Sequence, residues 1–204
     1  QWRNWLDRLS ETAQVKIESA SHLIQALRKR HDEFWALGCR LSDHGLERAY
    51  YEPCDEKQAA QIFDKVFAGS APDEMEEEQF STYILQEVGR WNAEKNWGMQ
   101  WHIGAIRNNR SYLFQRIGPD SGGDSIGDHS HAKKMCAFMD SLDRDGCLPK
   151  TIIYNLNPSD NYVFATLIGN FQDGTVPGKI QLGSGWWFLD QQEGMEWQLN
   201  ALST

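Results

Sequence analysis

The chain has 204 residues, of which 40% are hydrophobic and 24% charged, enough apolar material for one domain, or part of a larger one, with a real core. A net charge of -9 leaves no basic footprint and so argues against nucleic acid or an anionic membrane surface as a general partner. Cys39, Cys54, Cys136 and Cys147 are widely spaced with no C-x-x-C pair, which reads as free thiols in a reducing, cytoplasmic setting, and neither a membrane span nor a signal-peptide pattern is present.

Taken in order, residues 10–34 carry Val15, Ile17, Leu23, Ile24 and Leu27 among charges, with Ser10 available as N-cap; the pattern predicts one long surface helix. The apolar run from Phe34 to Leu41 predicts a first strand at 35–41, opening into Ser42-Asp43-His44-Gly45. Residues 55–68 and 73–96 predict two further helices with Asp55 and Asp73 at their starts. The glutamates after Asp73 complement the second helix's dipole, and Phe80, Tyr83, Ile84 and Val88 continue its helical spacing, so this acidic run is a solvated helix start rather than a binding tail.

The stretch Gly98-Met-Gln-Trp-His-Ile-Gly-Ala-Ile-Arg-Asn-Asn109 contains a short apolar run between two glycines, a buried strand at 99–103 that delivers His102 to its carboxyl end. A lone histidine there is by default a hydrogen-bonded core residue. The long Gly- and Asp-rich segment 118–128 predicts a functional or disordered loop. Its resemblance to a phosphate loop is superficial, because it is acidic and lacks the Gly-Lys-Ser/Thr ending. A helix follows from about His129 to Arg144, then strands at 151–155 and 179–183, with a helix from Asn157-Pro158 to about Asn170 between them. The last strand ends in Gly183-Ser-Gly-Trp-Trp-Phe188 before a final helix from Asp190. The chain begins at Gln1 without methionine and stops at Thr204 in an uncapped helical pattern, and it reads as a fragment.

A strand, a polar terminus and a helix thus recur four times, and polar or aromatic residues follow each strand: Asp43 and His44, His102, Asn155 and Asn157, Trp186 and Trp187. Repeated βα units imply parallel strands with right-handed crossovers. No Gly-x-Gly-x-x-Gly turn supports a nucleotide-binding open sheet. Chemistry at every strand's carboxyl end favours a (β/α)8 TIM barrel, of which 204 residues would supply about half. The expectation is that all four strands are adjacent and parallel, with Asp43, His102 and Trp186 converging at one end. The other tryptophans, with Trp187, read as core or helix packing.

The segments Gly38-Cys-Arg-Leu-Ser-Asp-His-Gly45, Met99-Gln-Trp-His-Ile-Gly-Ala-Ile-Arg-Asn-Asn109, Leu148-Pro-Lys-Thr-Ile-Ile-Tyr-Asn-Leu-Asn-Pro158, Ile168-Gly-Asn-Phe-Gln172 and Pro177-Gly-Lys-Ile-Gln-Leu-Gly-Ser-Gly-Trp-Trp-Phe188 resemble those of uronate isomerase, also called glucuronate isomerase. The resemblance runs from about residue 10 to the end. It implies a (β/α)8 barrel of the amidohydrolase type, a partial barrel over 1–204 with a helical segment at about 55–96 between two strands. It implies an aldose-ketose isomerase interconverting D-glucuronate with D-fructuronate and D-galacturonate with D-tagaturonate. On that resemblance Asp43 and His102 are the catalytic candidates and Trp186 a substrate-binding one, while Arg40 stays outside the site; Arg107, in the loop after the His102 strand, and Asn155, at the carboxyl end of its own strand, are further substrate-binding candidates by their position. The small-molecule partner is a uronate sugar, and a homo-oligomer is allowed.

The resemblance also implies zinc or another divalent metal in the full-length enzyme, with the family's first-strand His-x-His and last-strand aspartate outside this chain. The fragment alone is expected to bind none. His129 and His131 form a local His-x-His at the start of a predicted surface helix, and the metal is not transferred to them. Two rivals remain from the residues alone: a metal-dependent hydrolase of the same superfamily, and a non-catalytic carbohydrate-binding domain, which would explain the tryptophans but is usually sheet-rich.

Overall fold

The computed structural model describes residues 2–203; Gln1 and Thr204, on which the reading of the chain's ends falls, lie outside the described residues. Two helices open it, α1 (Trp2–Ala13) and α2 (Ala20–Ala36), where the spacing predicts a single helix over 10–34. Gln14 adopts the left-handed conformation, φ 52°, which stops α1. Ser10 lies inside α1, and Ser19 caps α2 instead by accepting the His22 N–H at 3.2 Å.

The first strand is also displaced from 35–41. Helix α2 continues through the aromatic pair Phe34 and Trp35 and closes at Gly38, whose φ of 98° suits glycine. Strand β1 is Leu41–Leu46, so Asp43 and His44 lie within it. Helices α3 (Glu56–Phe67) and α4 (Glu74–Glu94) follow, each opened by a complete capping box at Asp55 and Asp73. Strand β2 is Gly98–Ile103.

The segment 118–128 is mostly irregular, as expected of a loop, and contributes one short strand, β4 (Ser125–Ile126). This strand pairs antiparallel with β3 (Ala105–Ile106), and helix α5 (Ser111–Ile117) lies between the two in the chain. Helix α6 (Ala132–Arg144), strand β5 (Lys150–Asn155), a single helical turn at Pro158–Asp160, helix α7 (Asn161–Gly169), strand β6 (Ile180–Leu182) and helix α8 (Gln192–Leu202) complete the chain.

The main sheet has the order β1-β2-β5-β6, with every neighbouring pair parallel. This is the expected adjacency, with β1 starting later. Register divides the side chains into two sets, because successive residues point to opposite faces. Met99, Trp101, Ile103, Ile153, Ile180 and Leu182 share one face and pack against Leu85 of α4, Met135, Phe138 and Leu142 of α6, and Phe164 of α7. Burying a side chain of this size is worth about 1.5–3 kcal/mol, so this face holds the sheet to its helices. The other face carries Leu41, Asp43, Gln100, His102, Lys150, Ile152, Tyr154 and Gln181, all half-buried or exposed. A second cluster, with Leu6, Ile17, Leu23 and Phe63 at its centre, joins α1, α2 and α3 and packs Phe80 and Ile84 of α4. No helix among the described residues is long and apolar enough to cross a membrane.

Candidate active site

Asp43, from β1, and His102, from β2, meet on the open face. His102 Nδ1 lies 2.5 Å from Asp43 Oδ1. With the carboxylate accepting the Nδ1–H, the second ring nitrogen, Nε2, carries the lone pair. The His102 ring lies flat against Tyr154 of β5, with centroids 4.5 Å apart and planes 7° from parallel. Trp186 meets the same ring edge-on at 4.4 Å. Beyond Trp186 the Arg107 guanidinium lies 5.9 Å from the indole centroid and donates to Asp124 at 2.7 Å.

Each of these positions has a local cause. Asp43 and His102 belong to the set of strand residues that faces away from the helices, so neither competes with the core. Trp186 sits at φ 57°, ψ -173°, a region almost reserved for glycine, where a bulky side chain costs on the order of 1–3 kcal/mol. Its Nε1 is buried without a hydrogen-bond partner among the described residues. Strain and an orphaned donor on one residue mark it as positioned for something other than stability. Arg107 leaves β3 toward the site because Asp124, folded back by the hairpin, holds it; Asp124 also accepts the Asn108 N–H at 2.8 Å. The Asn108 N–H first, then Arg107 acting against the opposing effect of burial, hold the Asp124 carboxyl below the usual carboxylate range.

Asn155 is the sequence candidate that does not join them. It pairs in register with Ile103, on the helix-covered face, and is almost fully buried. Its amide donates to Asn161 Oδ1 at 2.8 Å and to the Asn157 carbonyl at 3.0 Å. The side chain therefore fastens the start of α7 to the end of β5, and a substrate-binding role does not fit this geometry. Tyr154, its neighbour, is the residue sequence reading missed. The alternation of strand side chains carried the signal, since the partner of His102 in register is residue 154 rather than 155.

His44, half-buried, and His131, buried, both lie away from the open face. Burial pushes His44 down to about 4 despite the opposing influence of Asp43, and it bonds Ser42 at 2.9 Å. His131 is not on a surface helix as expected: it is 4% exposed, and its Nδ1 accepts the Ala49 N–H at 3.2 Å. Burial first, then His129, lowers His131 to about 4. Among the described residues no group of three or more His, Cys, Asp and Glu side chains is arranged to hold a metal ion. His129 and His131, with ring centroids 6.1 Å apart and one nitrogen already committed, do not supply a metal centre. Trp187, expected in the core, is instead 56% exposed and stacks on Phe188 at 3.8 Å.

The family model described as glucuronate isomerase matches residues 1–204. The chain belongs to that family. The uronate isomerase of Opitutus terrae is 53% identical over 199 residues, covering 98% of this chain and 42% of that protein. The uronate isomerase of Bacteroides fragilis is 52% identical over 202 residues, covering 99% of this chain and 43% of that one. Among solved structures, the uronate isomerase of Thermotoga maritima superposes with a TM-score of 0.88 at 30% identity, over 99% of this chain and 43% of that chain. The glucuronate isomerase of Caulobacter crescentus, at 24% identity and a TM-score of 0.84 over 97% of this chain and 40% of that one, shares the fold. The chain thus spans less than half the length of these glucuronate isomerase family relatives.

Proposed function

We propose that this chain forms about half of a (β/α)8 barrel of the amidohydrolase type and carries part of the active site of a cytoplasmic uronate isomerase. The one-sided helix layer supports the barrel: a parallel sheet with helices on one face and a polar opposite face has the layout of a barrel wall, with the polar face inward. The substrate class is a hexuronate. D-Glucuronate is interconverted with D-fructuronate, and D-galacturonate with D-tagaturonate, in hexuronate catabolism.

The observation that carries this reading is the Asp43–His102 pair on neighbouring strands beneath Trp186. An aldose-ketose isomerisation removes the proton on C2 and leaves its electron pair in a C1–C2 double bond while the C1 carbonyl oxygen gains a proton. Return of a proton to C1 and loss of the C2 hydroxyl proton then give the ketose, so no external oxidant or reductant is needed. His102 Nε2 is placed to take or hold a proton, and Asp43 stabilises the imidazolium that results. Trp186 closes the site from water and offers an apolar surface to the sugar. Arg107 supplies a guanidinium for the uronate carboxylate, oriented by Asp124.

Zinc or another divalent ion in the full-length protein would take its ligands from outside this chain. The test is incubation of the full-length protein with D-glucuronate followed by coupled reduction of the keto-uronate. Ketose formation is expected, and its absence with both D-glucuronate and D-galacturonate would overturn the isomerase reading.

A further inference from the structure

Asp43 holds His102 through a single ring nitrogen. A hydrogen bond at one nitrogen leaves the tilt of the imidazole plane undetermined. The contact that fixes the plane comes from the interior strand β5, where the Tyr154 ring lies within 7° of parallel to it. Tyr154 is itself fixed at two points. Gln100 Nε2 donates to its hydroxyl at 2.8 Å, so the ring lies across β2, over His102 and bonded to Gln100. Gly183, following β6, leaves the space the ring occupies: a Cβ at that position would stand 2.3 Å from the tyrosine ring.

We infer that Tyr154, seated on Gly183 and tied to Gln100, is a positioning residue for His102 in the proposed isomerisation. The inference rests on the reading of His102 as the proton-transfer group. Tyr154 sets the direction in which Nε2 points, and a reacting group displaced by about 1 Å can lose about 100-fold in rate. The tyrosine face also favours the ring while it carries the transferred proton, because the negative face of an aromatic quadrupole attracts a cation. Neither effect requires Tyr154 to touch the sugar, so its removal acts on turnover rather than on substrate affinity.

The experiment uses the full-length protein carrying this segment, with D-glucuronate as substrate. Tyr154→Leu is expected to lower kcat by about 10- to 100-fold with KM changed by less than about threefold, and Tyr154→Phe, which keeps the ring, to recover most of the lost turnover. Gly183→Ala leaves Tyr154 in the sequence but forces its ring aside, and the same kcat-specific loss is expected. The His102 ring-proton resonances, shifted upfield by the stacked tyrosine, should move downfield in Tyr154→Leu and stay in place in Tyr154→Phe. A kcat for Tyr154→Leu within about threefold of the parent would overturn the inference, as would a Tyr154→Phe variant as slow as Tyr154→Leu. If Tyr154→Leu loses its fold by circular dichroism, Gly183→Ala decides the matter by the same kcat criterion. If the parent protein forms no ketose, the isomerase reading fails; the ring-proton shifts then decide the positioning, and identical shifts in the parent and Tyr154→Leu would overturn it.

Discussion

Asp43 reaches His102 along a diagonal. The residue paired with His102 in register on β1 is Gly45, and Asp43 pairs with Gln100, yet the carboxylate closes to 2.5 Å on the imidazole two residues further along β2. Gly45 presents no side chain opposite His102, and an added Cβ there would meet nothing within 4 Å. The carboxylate can therefore lean across its own strand. Replacing Asp43 with Asn in the full-length protein keeps the shape but removes the charge that supports an imidazolium. A charge-assisted hydrogen bond is worth about 1.5–3 kcal/mol, so kcat should fall roughly 10- to 150-fold with the melting temperature little changed. A steady-state assay beside a thermal melt checks both.

His102→Asn should reduce turnover by about 100- to 10,000-fold, the usual contribution of a general acid or base, while leaving the far-ultraviolet dichroism unaltered. The side chain lies on the open face and takes no part in the helix-side core, so a loss of fold is not expected. A reduction below about threefold would make His102 a structural residue.

Asn155→Ala should show the opposite profile. The amide donates two hydrogen bonds inside the helix layer, and leaving Asn161 Oδ1 and the Asn157 carbonyl without that donor costs about 1–3 kcal/mol each at most. Stability should drop in a denaturant titration while KM for D-glucuronate stays at the parent value. A KM raised tenfold or more, about 1.4 kcal/mol of binding, would return Asn155 to the substrate site.

Acid should destabilise the protein through its buried histidines. His44 and His131 are both held down to about 4, whereas an unfolded histidine titrates near 6.5. A depressed histidine contributes stability that is complete above the unfolded value and is lost as pH falls toward the folded one. Each contributes on the order of 3 kcal/mol at neutral pH, lost progressively between about pH 6.5 and 4. Melting temperature measured across that window should fall steeply, and His131→Gln should flatten part of the slope. A flat profile from pH 7 to 4 would contradict the depressed titration of both rings.

The 204-residue chain made alone should form no ketose and should self-associate. Strands β1 and β6 are the two ends of the described sheet, each with one unpaired edge, and exposed strand edges template pairing with other chains. Sedimentation with added zinc and D-glucuronate checks both points. A monomer with full turnover would mean that the catalytic apparatus lies wholly within these residues.

The three later strands of the main sheet, β2, β5 and β6, are legible because each is a short apolar run bounded by glycine or proline. Strand β1 is not, since Leu-Ser-Asp-His-Gly-Leu contains poor strand formers on both faces and its pairing with β2 imposes the conformation. The preceding run looked like a strand because Phe34 and Trp35 are apolar. In the structure they are exposed at the end of α2, with Arg30 over Phe34 at 4.9 Å and Lys95 over Trp35 at 5.1 Å. Arg30 is one helical turn from Phe34, but a partner as far along the chain as Lys95 is invisible to local periodicity. Asp43, His102, Arg107 and Trp186 could be named from the sequence as chemistry at strand ends. Which face each occupies is not legible there, so the strand-end pattern points to Asn155 where the open face carries Tyr154.

The division of each strand between two faces has a practical corollary for protein engineering. Along β2, the letters at 99, 101 and 103 are read by the helices and those at 100 and 102 by the open face. Changes to the two sets address different neighbours, and effects at sites that share no partner tend to combine additively. A library that redirects substrate choice could therefore vary open-face positions such as Ile152 and Gln181, with His102 and Tyr154 left in place, while stabilising substitutions are collected independently at the odd positions of β2 and β5.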